Sequence, residues 1–122
     1  MPVDREVAPL VVGRAAFGTV AFVAAGPLCR WTGITSNGFI ARALGTAILA
    51  ADAALIGAVV FSDERPDLRR AVAANAATDV VGAAVLLGLA NRRRGTQRVV
   101  ATLAGVSLIG GAAGWLRAMT SM

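Results

Sequence analysis

The chain has 122 residues, of which 57% are apolar and 16% charged, and its formal net charge is +5. A soluble domain of this length cannot hide so much apolar surface, whereas runs of about 20 apolar residues match the thickness of a bilayer. The sequence has one cysteine and no histidine, tyrosine or lysine, which excludes an imidazole metal site, a Schiff-base lysine and an intramolecular disulfide. We therefore predict an integral membrane protein with no cofactor and no nucleic-acid partner.

The first two helices are predicted from the apolar runs in the first half of the chain. The first helix should cover residues 7–25 and end at Gly26 and Pro27, because proline lacks the backbone amide that a helix needs. Trp31 then marks a membrane interface. A polar turn over residues 32–38 follows, and Ser36 or Asn37 can cap a second helix over residues 39–61.

The last two helices follow the same logic. Pro66 suits the first position of a third helix over residues 67–90. Residues 91–95 end this helix, and Thr96 can cap a fourth helix over residues 98–119, with Trp115 as an aromatic anchor at the second interface. Because short turns make successive helices antiparallel, residues 1–122 predict one domain, an up-and-down bundle of four transmembrane helices.

The arginines predict the orientation of this bundle. One side holds Arg5, Arg65, Arg69, Arg70 and Arg117, and the other holds Arg30, Arg42, Arg92, Arg93, Arg94 and Arg98. The counts nearly tie, but acidic residues accompany the first set and not the second. The cluster of Arg92, Arg93, Arg94 and Arg98 therefore favours the cytoplasmic side, with both termini outside the cell membrane. Inverted or dual insertion stays open, and the same cluster can also contact anionic lipid headgroups.

Five polar residues are predicted to share one layer inside the membrane. A rise of about 1.5 Å per residue places them at similar depth, and they are Arg14, Asp52, Asn75, Thr78 and Asp79. Charges at this depth are costly and should pair with one another inside the bundle. Two interpretations remain open, because one arginine cannot neutralise two aspartates. The layer either fixes the order of the helices or provides a carboxylate that titrates or binds a ligand.

Small residues are expected to line the helix contacts. Gly110 and Gly114 form a GxxxG step in the fourth helix. This step indicates either close packing within the chain or association between two copies, and packing within the chain is favoured because such steps are common in Ala/Gly-rich helices.

The chain resembles a group of uncharacterised, mainly actinobacterial four-helix membrane proteins of unknown function. The resemblance is carried by Arg14 in the first helix, by residues 42–45 (Arg-Ala-Leu-Gly) at the start of the second, and by residues 77–79 (Ala-Thr-Asp) in the third. The group has an Arg-Asp pair where this chain has Thr46 and Ala47, and the aspartate here comes later, at Asp52. The resemblance implies a four-helix fold and supplies no activity.

Three classes of function remain. The first is a non-enzymatic membrane module that packs with a partner protein or with a second copy, which needs nothing beyond small-residue faces and an internal ion pair. The second is a small transporter or binder of a polar or cationic solute that uses Asp52 or Asp79. The third is an intramembrane isomerase or cyclase with one of these aspartates as general acid. The first class is favoured, and an enzyme is not.

Overall fold

The computed structural model describes residues 7–121, and this part of the chain is all-helical. Its five helices are α1 (Ala8–Val23), α2 (Ala25–Thr32), α3 (Gly38–Val60), α4 (Arg65–Arg92) and α5 (Gly95–Thr120). The predicted helical class is confirmed, but the predicted four-helix count does not allow for the short helix α2. Arg5, counted above among the basic residues near the termini, lies outside the described residues.

The additional helix arises because the chain bends sharply at Ala24. This residue leaves helical geometry at φ −108° and ψ 30°, and the axes of α1 and α2 meet at 92°. Pro27 is the third residue of α2, in the first turn, where a backbone amide has no acceptor within the helix. The prediction that Gly26 and Pro27 end the first helix is therefore wrong. Pro27 lies in the opening turn of a new helix instead.

Three helices within residues 7–121, α3, α4 and α5, are long and apolar enough to cross a membrane. At about 1.5 Å per residue they measure roughly 35, 42 and 39 Å. Helix α1 measures only about 24 Å, less than the roughly 30 Å of a hydrocarbon core, and it qualifies as part of a span only together with α2. These lengths indicate a membrane protein.

The helix ends agree only partly with the predicted caps. The Asn37 side chain accepts hydrogen bonds from the backbone amides of Phe39 and Ile40, as predicted for the start of α3. Pro66 is the second residue of α4 rather than the first, since that helix begins at Arg65. Helix α5 begins at Gly95, so Thr96 lies inside its first turn and is not the capping residue.

The helices pack mainly in two antiparallel pairs. Helix α4 lies against α5, and α1 lies against α3, while α2 crosses the end of the bundle over α3 and α5. A large apolar cluster occupies the end nearer Val7, and it consists of Val7, Val59, Leu68, Ala71, Val72, Ala76, Trp115 and Ala118. A smaller cluster at the opposite end consists of Ala25, Cys29 and Ala41.

The two tryptophans have different environments. Trp31 is 54% exposed, which suits the predicted position at a membrane interface. Trp115 is 2% exposed and packs in the larger apolar cluster. The prediction of Trp115 as a second interface anchor is therefore wrong, because this side chain lies inside the bundle.

Candidate functional site

Arg14 lies at the centre of a buried polar cluster that joins three helices. Its Nη1 donates to Oδ1 of Asp52 on α3 at 2.9 Å, and its Nη2 donates to Oδ1 of Asp79 on α4 at 2.5 Å. Arg14, Asp52 and Asp79 are 7%, 4% and 6% exposed. The two ion pairs are therefore shielded from solvent. In such a buried environment the attraction between charges is much stronger than at a surface.

Asn75 extends this cluster on α4. Its backbone carbonyl accepts a hydrogen bond from Arg14 Nη2 at 3.2 Å, and its side-chain amide donates to the carbonyls of Ala71 at 2.8 Å and Leu55 at 3.3 Å. The bond to Leu55 crosses from α4 to α3. Asn75 is 0% exposed, so it connects these two helices inside the bundle.

Two glycines provide the space that the carboxylates occupy. A Cβ atom added to Gly18 of α1 would lie 2.8 Å from Asp52 Oδ2, and one added to Gly111 of α5 would lie 2.8 Å from Asp79 Oδ2. Both distances are shorter than real Cβ contacts allow. Each aspartate therefore lies against the bare backbone of a neighbouring helix, and larger residues at these positions would displace it.

Trp115 forms the apolar side of the cluster. The Arg14 Cζ atom lies 5.8 Å from the centre of the Trp115 ring, within the range of a cation–π interaction. Helix α5 therefore contacts the guanidinium through this ring, while α3 and α4 contact it through carboxylates.

Four of the five residues predicted for the polar layer meet in the structure. Thr78 is separate from them, because its side chain is exposed and its hydroxyl donates to the carbonyl of Ala74 in its own helix. Asn75 and Asp79 are four residues apart and face the bundle, whereas Thr78 lies 100° around the helix from Asp79 at about 3.6 residues per turn. The local bond to Ala74 satisfies the hydroxyl without any partner from another helix.

Three buried polar atoms of the cluster lack a hydrogen-bond partner among the described residues: Arg14 Nε, Asp52 Oδ2 and Asn75 Oδ1. Asp52 also lines a groove of about 370 Å³ between α1 and α3. The groove is otherwise mostly apolar, with Leu49, Ile56 and Phe61 among its walls. Asp52, whose buried Oδ2 has no donor among the described residues, is thus the charged residue among those that line this groove.

The cluster can hold helices together, because Arg14 pairs with carboxylates from two other helices. Each carboxylate has its Oδ1 bound to Arg14, so a proton added to either acid would weaken an ion pair by removing the negative charge. Within residues 7–121 there is no group of three or more His, Cys, Asp or Glu side chains that can hold a metal ion. Among the buried carboxylate oxygens of residues 7–121, Asp52 Oδ2 has no hydrogen-bond donor.

The four arginines of the predicted basic cluster differ in environment. Arg92, Arg94 and Arg98 are exposed. Arg93 is half-buried, and its Nε and Nη2 donate to the carbonyl of Gly33 at 3.1 and 2.9 Å. This residue therefore connects the turn between α4 and α5 to the end of α2.

The two glycines of the GxxxG step also differ. A Cβ atom on Gly114 would lie 2.8 Å from Leu10 Cδ2, so Gly114 faces α1. Gly110 is exposed, and no other described residue lies within 4 Å of the position of a Cβ there. Only the Gly114 half of this step contributes to packing within the described chain.

No protein family, curated protein or solved structure matches the chain. The resemblance to actinobacterial four-helix proteins therefore stays a prediction.

Sequence reasoning did not identify Gly111 and Trp115 as neighbours of the polar layer. Both residues share one face of α5 with Ala118, since they follow one another at spacings of four and three. The GxxxG step of Gly110 and Gly114 predicts packing on the adjacent face of α5. The spacing of Gly111, Trp115 and Ala118 places these residues on one face of α5 and indicates a packing face, but it does not identify the residues of other helices that this face contacts.

Proposed function

We propose that the chain is a non-enzymatic module of the cell membrane, in which the Arg14 cluster holds the helices in one arrangement so that the assembled bundle can associate with a second copy or with another membrane protein. The observation that carries the proposal is the pairing of Arg14 with aspartates from two other helices. Inside a membrane, apolar surfaces alone do not select which helices pack together. A buried ion pair that joins α1, α3 and α4 supplies that selection.

The cost of burying charge supports this role. A single charge at the centre of a transmembrane helix costs about 2.5–3.5 kcal/mol on insertion scales. Helices α1, α3 and α4 each carry one such charge in the buried cluster. The cost of burying these charges falls when opposite charges form ion pairs. The separated helices are therefore less favourable than the assembled bundle.

The orientation belongs to the same proposal. The basic turn around Arg93 faces the cytoplasm, since basic residues are retained on that side, and both termini face outward. An isomerase or cyclase is a weaker alternative, because each candidate general acid is held by Arg14.

The experiment is a double-mutant cycle on Arg14 and Asp79. Asp79→Leu removes the carboxylate acceptor of Arg14 Nη2 and leaves Asp52 as the single counter-charge, and we expect it to lower the free energy of unfolding by about 1–3 kcal/mol. Arg14→Leu in the same chain leaves the buried Asp52 without its counter-charge, so we expect much of the loss to be restored only when Asp52→Leu is added as well. Thermal unfolding in detergent and in lipid nanodiscs measures both effects.

Thr78→Val is the matched control, because Thr78 is adjacent in sequence but bonds only within its own helix. We expect it to leave stability within about 0.5 kcal/mol of the parent chain. An Asp79→Leu chain as stable as the control would contradict the structural role of the cluster. Association is measured separately, by the mass of the protein extracted in native-membrane nanodiscs, and a single chain alone would contradict that part.

A second candidate function is the binding of an apolar cation in the groove between α1 and α3. Asp52 Oδ2, which has no donor among residues 7–121, supports it together with the apolar groove that Asp52 lines. An organic cation with an apolar body matches both features.

Tetraphenylphosphonium is a suitable probe for this second function. We expect it to bind the parent chain in micelles and to bind Asp52→Asn at least about tenfold more weakly, as the loss of one charge contact implies. Thr19→Val, at the exposed rim of the groove, is the control and should bind as the parent does. Equal binding by the parent and Asp52→Asn would remove the groove as a cation site.

A further inference from the structure

A second cavity, of about 550 Å³, lies at the end of the bundle where α2 crosses it. It is bordered by the loop between α2 and α3 and by the turn between α4 and α5. Its polar lining residues are Arg30, Thr35, Ser36, Arg93 and Gln97. None of its described lining residues is acidic, so the positive charges of the two arginines are not balanced within the cavity.

Hydrogen bonds between the two segments hold this cavity in shape. Arg93 donates twice to the carbonyl of Gly33, and Gln97 Nε2 donates to the carbonyl of Arg30 at 3.1 Å. Gly33 has φ +77°, and a Cβ there would lie 2.7 Å from Arg93 Nε. A glycine is thus required both by the backbone conformation and by the close approach of Arg93.

The guanidinium of Arg93 has more N–H donors than its two hydrogen bonds to Gly33 require. A guanidinium carries five N–H donors in a fixed plane, and two of them point to Gly33. Three remain for another acceptor. Arg30 also lines the cavity, from the last turn of α2, and its long side chain can bring a second guanidinium to a ligand there; Ser36 lines it from the following loop. Planar donors of this kind match the oxygens of a phosphate group, which can accept two parallel hydrogen bonds from one arginine.

The position of the cavity suits the same ligand. It lies beside the C-terminal end of α4 and the N-terminal end of α5. The exposed Trp31 directly follows Arg30 in the chain. Exposed tryptophans are enriched at the depth of lipid headgroups, so the cavity lies where the phosphates of a leaflet are found.

We propose that this cavity binds a phosphate ester, with Arg30 and Arg93 as the side chains that contact its oxygens. Arg92, Arg94 and Arg98 are not part of the site, because they do not line the cavity. The ester has two sources, an anionic lipid headgroup or a free phosphate ester, and the two share the chemistry that the cavity recognises. The proposal does not depend on the function of the Arg14 cluster.

The test compares lipid and soluble probes on the full chain in detergent micelles. Native mass spectrometry measures retention of phosphatidylglycerol against phosphatidylcholine, and thermal unfolding measures stabilisation by each lipid and by glycerol phosphate. We expect phosphatidylglycerol to be retained and to raise the melting temperature more than phosphatidylcholine does. A similar shift with glycerol phosphate identifies a soluble ester as a ligand, and a shift with the lipid alone identifies the headgroup.

Arg30→Gln is the main variant, since Arg30 is exposed and its side chain can be replaced without opening the bundle. We expect about tenfold weaker binding, the change that loss of one charge-assisted hydrogen bond predicts. Arg98→Gln removes the same charge nearby, outside the cavity, and should bind as the parent does. Equal weakening by both variants, or equal retention of the two lipids with no effect of glycerol phosphate, would overturn the proposal. Arg93→Gln adds a second variant, expected to weaken binding at least as much.

Discussion

Arg14 has two carboxylate partners that are far from it in the sequence, at separations of 38 and 65 residues. Its guanidinium also contacts the carbonyl of Asn75 and the ring of Trp115. The side chain of one residue thus meets α3, α4 and α5 from α1. Such contacts are favourable only while the guanidinium keeps its position, because a buried charge without partners is strongly destabilising.

Gly111 and Gly110 allow a residue-scale test of this packing. Gly111→Ala places a methyl group against Asp79 Oδ2, and we expect the displaced carboxylate to lower the free energy of unfolding by about 1–3 kcal/mol. Gly110→Ala is the adjacent control. Its methyl group meets no other described residue, so better helix propensity should leave stability unchanged or raise it by up to about 1 kcal/mol. Thermal unfolding of both chains in lipid nanodiscs measures the difference, and a Gly111→Ala chain as stable as Gly110→Ala would contradict the placement of Asp79.

At this scale the sequence predicted the charged residues of the site and not their neighbours. Arg14, Asp52 and Asp79 stand out because charge is costly inside a membrane, whatever the packing. The spacing of Thr78 from Asn75 fits one helix face, which is why the sequence predicts Thr78 in the polar layer. A threonine hydroxyl can instead donate to a carbonyl of its own helix, so its residue type does not require a partner on another helix. Trp115 suits a membrane interface and a buried position equally well, so its residue type alone could not place it.

The corner between α1 and α2 depends on helix α3. A Cβ at Gly45 would lie 2.7 Å from the carbonyl oxygen of Ala21 and 2.8 Å from the Cβ of Ala25. These atoms flank Ala24, where the chain turns by 92°. The backbone of α3 is therefore in direct contact with the corner, and α3 supports the bend from one side.

This contact predicts that Gly45→Ala separates the corner from α3. The nearest atom belongs to backbone and cannot rotate away, so we expect a loss of about 1–3 kcal/mol in the free energy of unfolding. Gly57→Ala in the same helix is the control, because its nearest neighbour is Phe61 Cδ2 at 3.9 Å. Hydrogen exchange should also show faster amide exchange in α2 for Gly45→Ala alone. Similar stability and exchange in the two variants would show that α3 does not support the corner.

At the scale of helices, the sequence predicted three of the four apolar segments to within three residues at each end. Those helices are separated by turns with polar residues, such as residues 62–64, where composition changes abruptly. The break at Ala24 has no such change, because alanine is a strong helix former and the residues before it are apolar. The bend is stabilised by packing of α2 across the bundle end, which local sequence does not reveal.

For the whole molecule, the arrangement of the helices predicts which parts of the chain share a membrane face. The loop between α2 and α3 lies at the end opposite the larger apolar cluster, and Ser36 in that loop is exposed. In a Cys29→Ala background, cysteines at Ser36 and Ser121 should react with impermeant maleimides from opposite sides of sealed vesicles. Cys29 itself is 6% exposed and is a poor probe. Labelling of both positions from one side would contradict the membrane arrangement.

The long separation between Arg14 and its partners has a consequence for biosynthesis. At about 5–20 residues per second, the ribosome needs roughly 3–13 s to extend the chain from Arg14 to Asp79. Throughout that interval α1 carries a cation whose second partner has not yet been translated. A short helix with an unpaired guanidinium is poorly retained by lipid alone, so we expect α1 to integrate stably only after α3 and α4 have emerged. In that case α1, although first in the chain, is not the first helix to be held in the membrane.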